Sequence, residues 1–223
     1  MIEKLYCYVD ETGQDTRGEL FIVSVVIVGA GRDQAIQLCE AIERATGKGR
    51  VKWLKTRYDR RLAYIRRVLQ EPIFQGKLNF AIYQNTGDYQ YLEKVRSRRS
   101  LASPLARARE HGLLTFSTTD YLSLTVQTIA WALLAHAQQP YKATVLIDGL
   151  PRSQRREVGS RLRHLGIRTR KVRGVRKDEN DTLARLADAL CGFVRAAVEG
   201  QEAMVELFEQ GKKRGYLKEL EAK

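Results

Sequence analysis

Histidine and cysteine are scarce in this chain, with three of each among 223 residues. The cysteines, Cys7, Cys39 and Cys191, are odd in number and far apart. That spacing excludes a disulfide framework and a cysteine-based zinc pattern, and it suits a reducing compartment. His111, His136 and His164 are too few for a histidine-rich metal centre. No apolar run reaches the ~18 residues that span a bilayer, so no membrane partner is expected. Ile22 to Val28 is apolar but has only strand length. The chain enters a strand almost at once, so no signal peptide is expected and the expected location is the cytoplasm. No GxGxxG motif follows the first strand and no Walker sequence occurs, which leaves dinucleotide and P-loop readings without support. Internal repeats are also lacking.

What is abundant is positive charge. The formal net charge is +13 and the pI is near 9.8, in a chain whose 43% hydrophobic content is ample for a folded core. The charge is blocked. Residues 152–177 hold eleven Lys/Arg against one acid, Glu157, and residues 44–67 hold ten against Asp59 alone. From Asp178 onward acids outnumber bases, ten to seven. Concentrated positive charge attracts polyanions through counterion release, so a nucleic-acid partner is expected, DNA or RNA. A solvated basic surface is the alternative.

The pattern of elements is α/β. Leu5 to Asp10 and Leu20 to Val28 read as a hairpin of strands, the second nearly continuous in apolar residues and so buried on both faces. A helix is expected over Asp33–Ala45, a short extended piece at Val51–Leu54, and a basic helix over Tyr58–Leu69 that ends before Pro72. Leu78–Tyr83 reads as a third strand. Residues 86–116, rich in arginine and serine, read as an insertion or arm. Thr118-Thr119-Asp120 starts a helix with an apolar stripe of Leu122, Val126, Ile129 and Leu133. Then follow a strand at Ala143–Ile147, a basic helix over Arg152–Leu165, an edge strand at Ile167–Arg173, a helix over Asp181–Val198, and a helical extension through residues 200–223. One domain spanning 1–223 is expected. In the extension, Met204, Leu207 and Phe208 are available to pack on the domain or on a partner, a homodimer being one option.

Two of these strands run straight into carboxylates, Asp10-Glu11 and Asp148-Gly149. An acid at the end of a buried strand sits on a rigid support, and neighbouring strands ~5 Å apart would let Asp10 and Asp148 reach one cation. Aspartate before glycine is equally a common turn pair. Asp188 is a third candidate. On a helical wheel it lies off the apolar face, and its surface neighbours Ala184, Cys191 and Gly192 are small, leaving room for a strand end or a metal. Asp181, two turns earlier, is a fourth ligand or only a helix N-cap. Strand alternation points Glu11 to the other side, and Asp120 suits a helix start. Oxygen ligands of this kind suit Mg²⁺ or Mn²⁺, and two-metal phosphodiester hydrolysis uses several such carboxylates from separate elements. Lys52, Arg152, Arg155, Arg156, Arg170, Lys171 and Arg173 are the candidate phosphate contacts.

These residues also resemble a large, mainly prokaryotic family, domain of unknown function 3800. Tyr8-Val9-Asp10-Glu11-Thr12-Gly13 is similar to its Val-Asp-Glu-Ser-Gly opening. Val51-Lys52-Trp53 looks like its Glu-(Leu/Ile)-Lys-Trp element without the acid. Leu146-Ile147-Asp148 matches its second strand-end aspartate, and Leu186-Ala187-Asp188 with Gly192 resembles its Leu-Ala-Asp-x-x-x-Gly helix. The resemblance implies an RNase H-like mixed sheet flanked by helices, in which acids of the first strand, the fourth strand and a late helix bind two Mg²⁺ or Mn²⁺ ions. It assigns Asp10, Asp148 and Asp188 as catalytic metal ligands, with Glu11 a further one. The expected function is a metal-dependent nuclease. Two other classes stand beside it. One is a nucleic-acid-binding module that kept the fold and lost catalysis, which the absent acid in the Lys52 element favours. The other is a phosphatase or phosphotransferase acting on a small substrate, which would not need the basic blocks.

Overall fold

A computed structural model describes residues 2–13, 20–84, 121–175 and 181–221. An apolar run such as 20–28 needs cover on both faces, and it forms β2 (Leu20–Val28) inside a six-stranded sheet. With β1 (Glu3–Thr12) and β3 (Leu78–Gln84) it makes an antiparallel meander. On the other side of β1 lies β4 (Tyr141–Asp148), parallel to it, and then β5 (Thr169–Val175), parallel to β4. The order is β5-β4-β1-β2-β3-β6, where β6 is Leu217–Glu219, so the charged strand β5 takes an edge, as its alternation suggests.

Helices cover both faces. Tyr8, Val26 and Phe80 pack under α1 (Arg32–Ala45), α2 (Tyr58–Val68), α5 (Thr182–Val198) and α6 (Glu202–Lys213). Leu5, Cys7, Val9 and Val145 pack under α3 (Tyr121–His136) and α4 (Arg155–His164). Even-numbered residues of β1 and β4 therefore face α5, and odd-numbered ones face α3 and α4.

Several expectations are corrected. The stripe on α3 is a cylinder, because every residue from Ser123 to Leu133 is buried. The hydroxyls of Thr125 and Thr128 manage this by donating to the carbonyls of Tyr121 and Leu124, both at 2.9 Å. The piece at Val51–Leu54 is extended only through Lys52, and Trp53–Lys55 is a 3₁₀ turn. The tail is not helical to its end. It leaves α6, turns at Gly215, and adds β6 (Leu217–Glu219) in parallel beside β3. The expected arm at 86–116 and the helix start at Asp120 lie outside the described residues.

Gly192 lets the 3₁₀ turn sit directly on α5. A Cβ there would lie 2.1 Å from Cδ1 of the buried Trp53 ring. Elsewhere in a helix Gly→Ala gains about 1 kcal/mol, but here the backbone or the indole must shift. Gly192→Ala is expected to destabilise by ~1–3 kcal/mol in urea unfolding, and a stabilising change would show that the turn is loosely seated.

Candidate active site

The register of the sheet sets the geometry. β1 pairs with β4 up to Val9↔Ile147, which leaves Asp10 and Asp148 side by side at the next position on the α5 face. Asp10 is not a free strand end, since β1 runs on to Thr12 and Asp10 pairs with Ser24 of β2. Asp148 does end its strand, and Gly149, at φ 67°, makes the turn there.

Asp188 is brought in by the way α5 docks. Ser24 Oγ donates to the Ala187 carbonyl at 2.8 Å, and the Cys191 thiol lies 3.6 Å from the Asp10 carbonyl and 3.5 Å from that of Ile22. The small side chains on this face of α5 thus lie against the backbone of β1 and β2, with Asp188 aimed into the cleft between them and the Trp53 turn. The Trp53 backbone N–H donates to Asp188 Oδ2 at 2.7 Å, and Lys52 Nζ to Asp148 Oδ2 at 2.6 Å. Asp10, Asp148, Asp188 and Lys52 all line one cleft of about 1050 Å³.

Electrostatics follow from this crowding. Burial, then the charges of Asp188 and Asp148, push the Asp10 carboxyl up to about 8. Asp10 keeps some accessible surface, but its carboxylate is surrounded by enough protein for desolvation to dominate. Burial also raises Asp188, against the Trp53 N–H and the Lys52 charge. Burial alone would lower Lys52, but its bond to Asp148 and the nearby Asp188 and Asp10 leave it raised. A hard cation is the ligand that would relieve such a cluster, and oxygen donors suit Mg²⁺ or Mn²⁺. Among the described residues, no three acid, histidine or cysteine side chains stand grouped closely enough to hold an ion as they are, since Asp148 is turned to Lys52 and Asp188 to Trp53. The donors fit in kind and in charge, and Lys52 would have to leave Asp148 to complete a set.

The remaining candidates divide. Glu11 faces the opposite side, as alternation requires, and shares the Thr125 hydroxyl proton with the Tyr121 carbonyl, its Oε2 lying 2.6 Å from Thr125 Oγ1, although it borders the same cleft. Asp181 is the N-cap of α5, accepting from the N–H groups of Leu183 and Ala184 at 3.0 and 3.3 Å. Arg152 and Arg156 are exposed beside α4, and Arg155 is half-buried there. Arg170, Lys171 and Arg173 are exposed on β5, Lys171 and Arg173 on the face shared with Asp148 by register. Two cleft residues escaped individual notice in the sequence. Arg61 stacks 5.4 Å from the Trp53 ring, and Arg195 donates to Thr12 Oγ1 at 3.2 Å. Arg61 was hidden within a basic block, and Arg195 within an acidic tail.

Neither family models nor curated proteins match the chain. Solved structures do. Ribonuclease HII of Archaeoglobus fulgidus, solved in complex with PCNA, is 16% identical over 92% of this chain and 77% of that one, at a TM-score of 0.44. Ribonuclease H2 of Pyrococcus horikoshii is 13% identical over 92% and 76%, at 0.43. Bst-RNase HIII with Mn²⁺ is 16% identical over 96% and 65%, at 0.39. The mixed sheet flanked by helices is the one expected, and likenesses this remote carry no residue role or activity across to this chain.

Proposed function

We propose that the chain is a metal-dependent nuclease hydrolysing phosphodiester bonds of DNA or RNA, and a divergent member of the domain of unknown function 3800 family that acts in the cytoplasm. The observation behind this reading is the adjacency of Asp10 and Asp148 on neighbouring strands with Asp188 facing them, in one cleft of a protein with a net charge of +13. Asp10, Asp148 and Asp188 would hold Mg²⁺ or Mn²⁺, two ions in the usual pattern, with Glu11 a candidate further ligand. The chemistry such ions supply is activation of the attacking water and neutralisation of the leaving oxygen.

The chain's own groups do the rest. The Trp53 N–H fixes the Asp188 carboxylate, and Lys52 stands where a scissile phosphate would enter. Lys55 and Arg61 flank the cleft and would hold the backbone. The exposed Arg152, Arg156, Arg170, Lys171 and Arg173, with Arg155, extend that contact without reading sequence. Cleavage of labelled oligonucleotides in Mg²⁺ or Mn²⁺, stopped by chelation and lost by at least ~10³-fold in Asp148→Asn, is the expected result. Equal cleavage by the variant rules the proposal out.

One feature favours a second reading, a binding module without hydrolysis. Two of the three acids already have partners within the chain, Lys52 and the Trp53 N–H. Calorimetric titration with Mn²⁺ separates the two. The nuclease takes up metal and loses that uptake in Asp148→Asn, whereas the binding module shows no uptake while still binding nucleic acid.

A further inference from the structure

Large apolar side chains are rarely left in water in clusters, yet three of the seven exposed ones among the described residues fall within residues 51–58: Val51, Leu54 and Tyr58. Leu54 is the extreme case, at 85% exposure, and it lines the cleft that holds the acids. The segment carrying it is not loose. Its neighbour Trp53 is buried against Gly192 and bonded to Asp188, and the Lys55 and Thr56 N–H groups close the turn onto the Lys52 and Trp53 carbonyls at 3.1 and 3.0 Å. Thr56 Oγ1 donates to the Lys52 carbonyl at 2.9 Å, and the buried Lys48 ammonium to that of Val51 at 3.0 Å. A rigid turn thus holds out one leucine at the mouth of the cleft.

The surroundings say what that leucine meets. Arg50, Lys52, Lys55, Arg57 and Arg60 lie within ten residues of it, and Arg61 follows directly. An apolar tip beside Lys52, Lys55 and Arg61 of the same cleft, within a basic stretch of sequence, matches the layout of a nucleic-acid strand, whose bases are apolar on their faces and whose backbone is anionic. A protein partner of the usual kind would meet these cations with acids, and a lipid surface would need more apolar area than one turn offers.

We propose that Leu54 is a base-contacting wedge, packing on a nucleobase unstacked at the mouth of the cleft while the surrounding lysines and arginines grip the flanking phosphates. This rests on the nucleic-acid reading of the cleft and adds to it a contact that positions the strand. The two kinds of contact differ in how they respond to salt. Releasing counterions depends on the phosphate contacts, so removing an apolar contact lowers affinity without changing the salt slope.

The test uses fluorescent DNA and RNA oligonucleotides, single- and double-stranded, carrying 2-aminopurine as a reporter of unstacking, with the full chain in chelator. Leu54→Ala is expected to weaken binding about tenfold, the order expected for one leucine returned to water, with the salt slope unchanged. The parent protein is expected to raise 2-aminopurine fluorescence, Leu54→Ala to lose that rise, and Leu54→Met to restore it. Lys55→Ala is expected to lower the slope and keep the fluorescence rise. Leu54→Ala with parental affinity and fluorescence overturns the wedge while leaving the nucleic-acid reading standing. Failure of the parent protein to bind any of the oligonucleotides overturns both.

Discussion

Asp10→Asn is expected to do two opposite things: abolish phosphodiester cleavage and make the metal-free protein harder to unfold. Both follow from one fact, that Asp10 is desolvated and crowded by Asp188 and Asp148, which push its carboxyl up to about 8. As a proposed metal ligand, Asp10 stands beside Asp148 on the neighbouring strand, so its loss should lower the rate by at least ~10³-fold. Without metal, ionising it is unfavourable. Its pKa in the folded chain lies above the ordinary aspartate value of 3.8, so the penalty is absent below about pH 4 and grows until the carboxyl is ionised in the fold, near pH 8. The amide, nearly isosteric and never charged, escapes this. Urea unfolding in chelator should show the variant matching the parent at pH 4 and exceeding it by on the order of 2–4 kcal/mol at pH 8 and above. Saturating Mn²⁺ should reverse the ranking, because only the parent gains from binding. A variant no more stable than the parent at pH 8 in chelator would show that the acids do not crowd one another.

Glu43→Gln is expected to destabilise the fold by ~3–5 kcal/mol. Glu43 is 2% exposed on α1 and takes both Nε and an Nη of Arg185 at 2.8 Å. The same carboxylate receives the Lys48 ammonium at 3.4 Å, and Lys48 is itself 2% exposed, with Nζ 4.9 Å from the Tyr64 ring centroid. Burial lowers the Lys48 pKa despite that partner. One anion therefore answers two cations, and neutralising it removes the counter-charge nearest the buried Lys48 ammonium and weakens the hold on Arg185. Because Lys48 also holds the Val51 carbonyl, the damage reaches Lys52 and Trp53. Glu43→Leu with Lys48→Met and Arg185→Met should recover much of the loss, since the penalty lies in buried charge that has lost its counter-ion rather than in missing volume. A single variant that unfolds like the parent would show that the cluster is solvated.

How much of this could be read from the sequence differs from residue to residue. The placement of Asp10 and Asp148 was legible because strand runs of apolar and β-branched residues end in acids, and strand pairing is a local pattern. Asp188 was legible through its small neighbours, whose purpose, close docking of α5 on β1 and β2, the structure shows. The Glu43–Lys48–Arg185 cluster was not legible. Glu43 did stand on the apolar face of its helix, but nothing local says that an arginine far along the chain will meet it. The strand β6 was missed because three residues after a helix carry no periodicity of their own, and the neighbour β3 supplies the pairing. The turn at Trp53 reads as extended from the sequence because its shape is set by Asp188 and Gly192, both distant in sequence.

The flush alignment of β1 with β4 has a consequence for how this protein is handled. Side chains alternate across a sheet, so a slip by one position would carry Asp148 through to the helix α4 side and leave Asp10 alone, with the apolar residues of β4 turned the wrong way. If the proposed metal site is right, slipped molecules would be blind to manganese however compact they were. The stoichiometry of manganese uptake would then gauge what fraction of a batch has threaded its strands correctly.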